Sequence, residues 1–286
     1  MAAARSRSRR AGVAAVLVIL VIITALAISK VKHFKFPSPI SSGCLVHGNS
    51  FDVPLDPGQA SIAATIAGVA RHRAMPVRAV TIAYAAALQE SDLENLNYGD
   101  RDSVGVFQQR PSEGWGTRRQ LLDPVYASSR FFSALAGVPN YRRLPVYRAA
   151  QAVQHSADGS AYSQYAPQGA AMAGGFSGRL PHAVWCWYGA KITGRSRLDS
   201  AEAGLRRTFG KLPFSHISDP AVQVRTHSPA DGWAVAAWLV THASKFRLTQ
   251  VTYQGFQWSA EHGRKGWTTA KRAAHGPAAR EAVAFG

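Results

Sequence analysis

Acidic residues are scarce in this chain. Its 286 residues hold 16 Asp and Glu against 33 Lys and Arg, a formal net charge of +17. Seven of those cations and no acid fall in residues 1–36, which leaves +10 for the remainder. The excess is spread out rather than gathered in blocks, so no nucleic-acid partner is expected. A basic exterior suits polyanionic surroundings such as cell-wall polymers or anionic lipid head groups. An Ala/Arg-rich composition alone gives the same excess with no specific partner. Cysteine is scarcer still: Cys44 and Cys186 are the only two. No CxxC or HExxH motif is present, and the ten histidines show no metal-ligand spacing, so no metal is expected. Walker loops, dinucleotide fingerprints and Gly-x-Ser-x-Gly are missing too. That leaves no expected cofactor and no serine-hydrolase chemistry.

A long apolar run occurs near the N-terminus, where residues 11–29 (AGVAAVLVILVIITALAIS) are uncharged. As a helix it would rise about 28 Å, close to the thickness of a hydrocarbon core. Residues 1–10 carry Arg5, Arg7, Arg9 and Arg10, the pattern of a cytoplasmic tail. The expectation is a single-pass membrane protein with the rest of the chain outside. Ala25-Leu26-Ala27 also allows a cleaved signal peptide and secretion. Residues 30–57 read as a linker rich in Pro, Ser and Gly and holding Cys44. In an exported chain Cys44 and Cys186 can form a disulfide, with two free thiols or a lipidated Cys44 as alternatives.

The informative stretch is Thr81 to Pro111, TIAYAAALQESDLENLNYGDRDSVGVFQQRP. Pro76 suits a first helical turn, and Val77 to Leu88 leave almost no polar face. A helix apolar all round is a buried helix. It ends abruptly in Gln89-Glu90-Ser91-Asp92. Glu90 is therefore a carboxyl carried out of the core, a fitting position for a general acid. A polar loop follows with Tyr98, Asp100, Asp102 and Ser103, then Gly105-Val106-Phe107-Gln108, Gln109 and Pro111.

These residues resemble the motifs of lytic transglycosylases and goose-type lysozymes. Those enzymes carry a helix ending in Glu-Ser, then Gly-Leu-Met-Gln followed by a proline. Glu90-Ser91 and Gly105-Val106-Phe107-Gln108 match, with Gly105 fifteen residues after Glu90. The resemblance implies peptidoglycan glycan strands as substrate, cleaved at the β-1,4 link between N-acetylmuramic acid and N-acetylglucosamine. Glu90 would be the general acid/base. Gln108, Gln109, Ser103, Tyr98 and Tyr162 would contact substrate. The family's Ala-Tyr-Asn-Ala-Gly is not matched: the nearest stretch, Val153 to Ala157, lacks Tyr-Asn. That departure favours a competing expectation, a catalytically silent cell-wall-binding or scaffold protein. Asp92, Asp100 and Asp102 are the candidates for a second carboxylate, with Asp92 set to point away if the helix continues. The family also works with one carboxylate, forming a 1,6-anhydro sugar without water.

The expected fold is mainly α: a lysozyme-like helical domain at 58–190 after an N-terminal transmembrane helix, with a small C-terminal α+β module. Residues 191–215 read as a second linker with a short helix. The module, 216–270, reads β-α-β-β: alternation at Val222 to Arg225, a helix over Gly232 to Phe246, and strands flanking Gln254-Gly255. Residues 271–286 read as a disordered tail.

Overall fold

The computed structural model describes residues 41–154, 160–218, 221–270 and 282–286. The expected basic tail and membrane span lie outside these residues. Among the described residues no helix is long and apolar enough to cross a membrane.

Two strands open the described chain, β1 (Gly43–His47) and β2 (Asp52–Leu55), paired antiparallel. Helix α1 (Pro57–His72) follows, with proline in its first turn and Gln59 Oε1 accepting the Asp56 backbone N–H at 2.9 Å. Helix α2 (Val77–Ser91) buries eleven of its fifteen residues, as its unbroken apolar surface requires. Pro76 sits just outside it as N-cap. Its end is sharp because Asp92 and Leu93 both take positive φ, at 52° and 60°. Leu93 N–H then bonds back to Ala87 O at 3.1 Å, and its side chain is fully buried.

Four helices follow: α3 (Arg118–Leu121), α4 (Pro124–Ala136), α5 (Val146–Gln154) and α6 (Ala166–Phe176). Asp123 caps α4 through Val125 N–H at 3.1 Å. α2 packs against α1, α4, α5 and α6, so it is the central rod of this part. Tyr84 at its middle is fully buried and donates to Ala63 O of α1 at 2.7 Å. That burial pushes its phenol well above the ordinary range.

Strand β3 (Val184–Trp187) pairs with β1, giving a three-stranded sheet of order β2-β1-β3. Cys44 and Cys186 face each other in this register and are disulfide-bonded, with Cα atoms 4.0 Å apart. Among the described residues no cysteine is free.

The remaining elements are α7 (Leu198–Phe209), β4 (Phe214–Ser218), β5 (Ala221–Arg225), α8 (Pro229–Thr241), α9 (Ala243–Phe246), β6 (Gln250–Tyr253), β7 (Phe256–Ser259), β8 (Thr268–Thr269) and β9 (Ala282–Phe285). The strands form a six-stranded sheet of order β4-β5-β9-β6-β7-β8, antiparallel throughout. α8 is buried from Asp231 to Thr241 and packs on this sheet, on α1, on α6 and on β3.

The mainly-α expectation is therefore corrected. About 48% of the described residues are helical and 17% strand, in two antiparallel sheets of three and six strands. The stretch read as linker at 30–57 supplies β1 and β2. The stretch at 191–215 supplies α7, where Ala201 and Leu205 are fully buried. Of the stretch read as a disordered tail, Ala282 to Phe285 form β9, a central strand with Val283 fully buried. Residues 271–281 lie outside the described ones. Ser42 to Gly286 make up one compact unit.

Candidate functional site

Glu90 stands on the last turn of α2, half-buried, on the wall of a cleft of about 360 Å³. The helix end that stops at Asp92 and Leu93 leaves its carboxyl at the rim of the core rather than within it. Tyr162 donates its hydroxyl to Glu90 Oε1 at 2.6 Å. It lies in a 3₁₀ segment, Ser160–Tyr165, that packs against α2.

Ser91 turns the other way. Its hydroxyl contacts Val106 O at 2.8 Å and Ala87 O at 3.2 Å. It thus ties the helix end to the turn fifteen residues later. That turn is a tight hairpin: Val104 and Gln109 exchange backbone bonds at 3.1 and 3.2 Å around Gly105 to Gln108. Its apolar members point inward. Val106 and Phe107 are fully buried, and Phe107 stacks on Phe131 of α4 with ring centroids 4.5 Å apart. Gly105 adopts φ 79°, and a Cβ there would strike Leu121 O, so the position requires glycine. Gln108 also has positive φ and folds its amide back, donating to Gly105 O at 3.1 Å and Tyr98 O at 3.3 Å.

Of the residues expected at the site, Glu90, Gln108, Gln109, Ser103 and Tyr162 do line one cleft. Two of them differ from expectation. Tyr98 does not line it: its side chain is 67% exposed, and only its carbonyl takes part, by accepting from Gln108. Tyr162 is 2% exposed, so it cannot stack on a sugar, and its hydroxyl serves Glu90 instead. Gln109 is buried, with its amide N–H at 3.4 Å from Ala127 O.

The three candidate second carboxylates separate clearly. Asp92 caps α2 and does not line the cleft. Its pKa is raised, first by burial and then by Glu94 and Asp56, against a lowering hydrogen bond from Gln59. Asp102 is engaged by the loop: it accepts the Ser112 N–H at 2.8 Å, the Ser112 hydroxyl at 2.9 Å and Arg110 Nε at 3.0 Å. The Ser112 backbone bond is the largest cause of a pKa lowered to about 2. Asp100 lines the cleft.

Sequence reasoning missed Arg110, Glu113, Trp115 and Gln154, which also line it. Arg110 is ion-paired to both Asp102 and Glu113. Gln154 donates to Phe107 O at 2.7 Å. The available signal was proximity: Arg110 to Trp115 directly follow the Gly105–Gln108 motif. Gln154, 47 residues beyond Phe107, had no local signal.

Among the described residues no group of three or more His, Cys, Asp or Glu side chains could hold a metal. His242 is the most deeply buried histidine described, and burial pushes its pKa down to about 3. It stacks on Trp238, with centroids 4.0 Å apart. Chemically, the cleft offers one carboxyl with a fixed phenolic partner, a second carboxyl at Asp100, a third at Glu113 held by Arg110, and amide and hydroxyl groups able to bond a polyhydroxylated chain. Neither a protein-family model nor a curated protein matches this chain.

Proposed function

We propose that the cleft cleaves the β-1,4 glycosidic bond of peptidoglycan, between N-acetylmuramic acid and N-acetylglucosamine, with Glu90 as general acid/base. The observation that carries this reading is the seat of Glu90. A carboxyl at the end of a buried helix is held by a buried tyrosine at 2.6 Å and opens on a polar cleft. With Tyr162 bonded to Oε1, Oε2 is the oxygen left to meet the glycosidic oxygen. Glu90 donates its proton there as the bond to C1 breaks. It then takes a proton from the attacking hydroxyl, either that of water or the muramyl 6-hydroxyl. Asp100 is the cleft carboxylate available to steady the positive charge that develops on the sugar, or to activate water. The Cys44–Cys186 disulfide fits work in an oxidising compartment outside the cytoplasm.

The test is Glu90→Gln, which keeps the shape but cannot transfer a proton. Release of muropeptides should fall by about 10²–10⁴, with little change in melting temperature. Glu94→Gln, an exposed neighbour outside the cleft, should keep most activity. Undiminished release by folded Glu90→Gln refutes the assignment. Failure of the wild type to release any product favours instead the silent wall-binding reading, to which the missing Tyr-Asn points. Mass analysis of the ends distinguishes anhydro from reducing sugars.

A further inference from the structure

We infer that Trp115 is the stacking platform of a sugar subsite in the Glu90 cleft. This inference rests on the glycan-cleaving reading and adds the residue that recognises the ring. A β-1,4-linked pyranose has two chemically different aspects. Its equatorial hydroxyl and acetamido groups need polar partners. The C–H bonds of its ring face need an apolar surface, and covering that surface excludes water. Polar partners abound in this cleft, from Asp100, Ser103 and Gln108 to Gln154. Aromatic faces do not. Among the described residues two aromatic side chains line it, and Tyr162 is buried and bonded to Glu90. Trp115 remains: it lines the cleft, rests part of its ring on the core, and keeps part exposed.

The backbone around Trp115 is fixed in a way that a merely space-filling residue would not need. Arg130 donates from Nε to Trp115 O at 3.1 Å and from Nη2 to Gly114 O at 3.2 Å. Tyr126 adds its hydroxyl to Trp115 O at 3.4 Å. On the incoming side, Asp102 holds Ser112, and Arg110 pairs with Glu113. The ring is thus carried on a segment anchored at both ends, which lowers the entropy lost when a sugar stacks on it.

The experiment uses Glu90→Gln, so that ligand is not consumed, and titrates chitotetraose by calorimetry. Adding Trp115→Ala should weaken binding about tenfold or more. Adding Trp115→Tyr should restore it to within about threefold. In Glu90→Gln, the indole N–H resonance that disappears when Trp115→Phe is added should shift on titration. This readout stands even if Trp115→Ala unfolds. Should chitotetraose bind equally well with and without the Trp115 ring, the inference is overturned and the glycan-cleaving reading stands. Should neither chitotetraose nor a peptidoglycan tetrasaccharide bind Glu90→Gln, that reading falls and the inference falls with it.

Discussion

Ser91→Ala isolates the bond that joins the two halves of the site. Ser91 is 8% exposed, and its hydroxyl reaches Val106 O at 2.8 Å, across fifteen residues of chain. Val106 is itself fully buried, so without the hydroxyl this carbonyl loses a donor where water does not enter. An orphaned buried acceptor costs about 1–3 kcal/mol. In a unit of this size each kcal/mol lowers the melting temperature by roughly 2–4 °C, so a fall of about 2–12 °C is expected. The functional effect should be separate from stability. Val106 belongs to the turn that places Gln108, and the released turn can relax away from α2. Displacements near 1 Å cost up to about 10² in rate, and a loss of about tenfold in muropeptide release is expected well below the melting temperature. Ser61→Ala is the matched control. Its hydroxyl also bonds back within a helix start, to Gly58 O at 2.8 Å, but joins no second element. Its cost should stay within about 0.5 kcal/mol. Thermal unfolding and product release on the three proteins decide the matter. Ser91→Ala as stable and as active as Ser61→Ala would refute the idea that this hydroxyl couples motif to helix.

Two further outcomes follow from the structure. Removing the Cys44–Cys186 disulfide by paired alanine substitution should cost about 3–5 kcal/mol, since it closes a loop of 142 residues in sequence, and denaturant unfolding measures this. Asp102→Asn should lower the melting temperature near neutral pH. A carboxyl with a folded pKa depressed from 3.8 to about 2 contributes stability that is full above the unfolded pKa and is lost as pH falls through the folded one. The gap between the two proteins should therefore close between about pH 4 and pH 2, and a gap that persists unchanged at pH 2 would refute the loop-pinning role.

Legibility differed with the range of the forces involved. The buried helix could be read because α2 declares itself locally: Ala, Val, Ile and Leu on every face leave no alternative to burial. The hairpin at Gln254-Gly255 was legible for a similar reason, since both residues take positive φ between alternating strands. The three-stranded sheet was not legible, because β1 finds its partner β3 some 140 residues away and each strand spans only four or five residues. β9 is harder still. Ala-Val-Ala-Phe has no alternation to show, and it becomes a strand because β5 and β6 leave a slot between them. At the site, the sequence could place a tyrosine near residue 162 but could not tell which face would be buried. Its partner, Glu90, lies 72 residues earlier. Trp115, between Gly114 and Gly116, carries no motif of its own, and the Arg130 contacts that fix it come from α4.

The position of β9 bears on how the Glu90 cleft is supported. A general acid works only if its carboxyl is held to within a fraction of an ångström, and a helix end is rigid only when the helix is packed along its length. α2 packs on α1, and α1 in turn packs on α8. Arg71, in the last turn of α1, pairs with the buried Asp231 of α8. α8 is buried from Asp231 to Thr241 because the six-stranded sheet covers it together with α1, α6 and β3, and that sheet is bridged at its centre by β9. Thr249 and Gln250 bond the carbonyl of Gly286 at 2.7 and 3.1 Å, so the final residue is itself part of the pairing. Trp258 and Trp267 then lock this sheet to β3, through the carbonyls of Cys186 and Val184 at 2.9 and 2.7 Å. The C-terminal strands are thus part of the scaffold on which the Glu90 helix rests, although none of their residues lines its cleft.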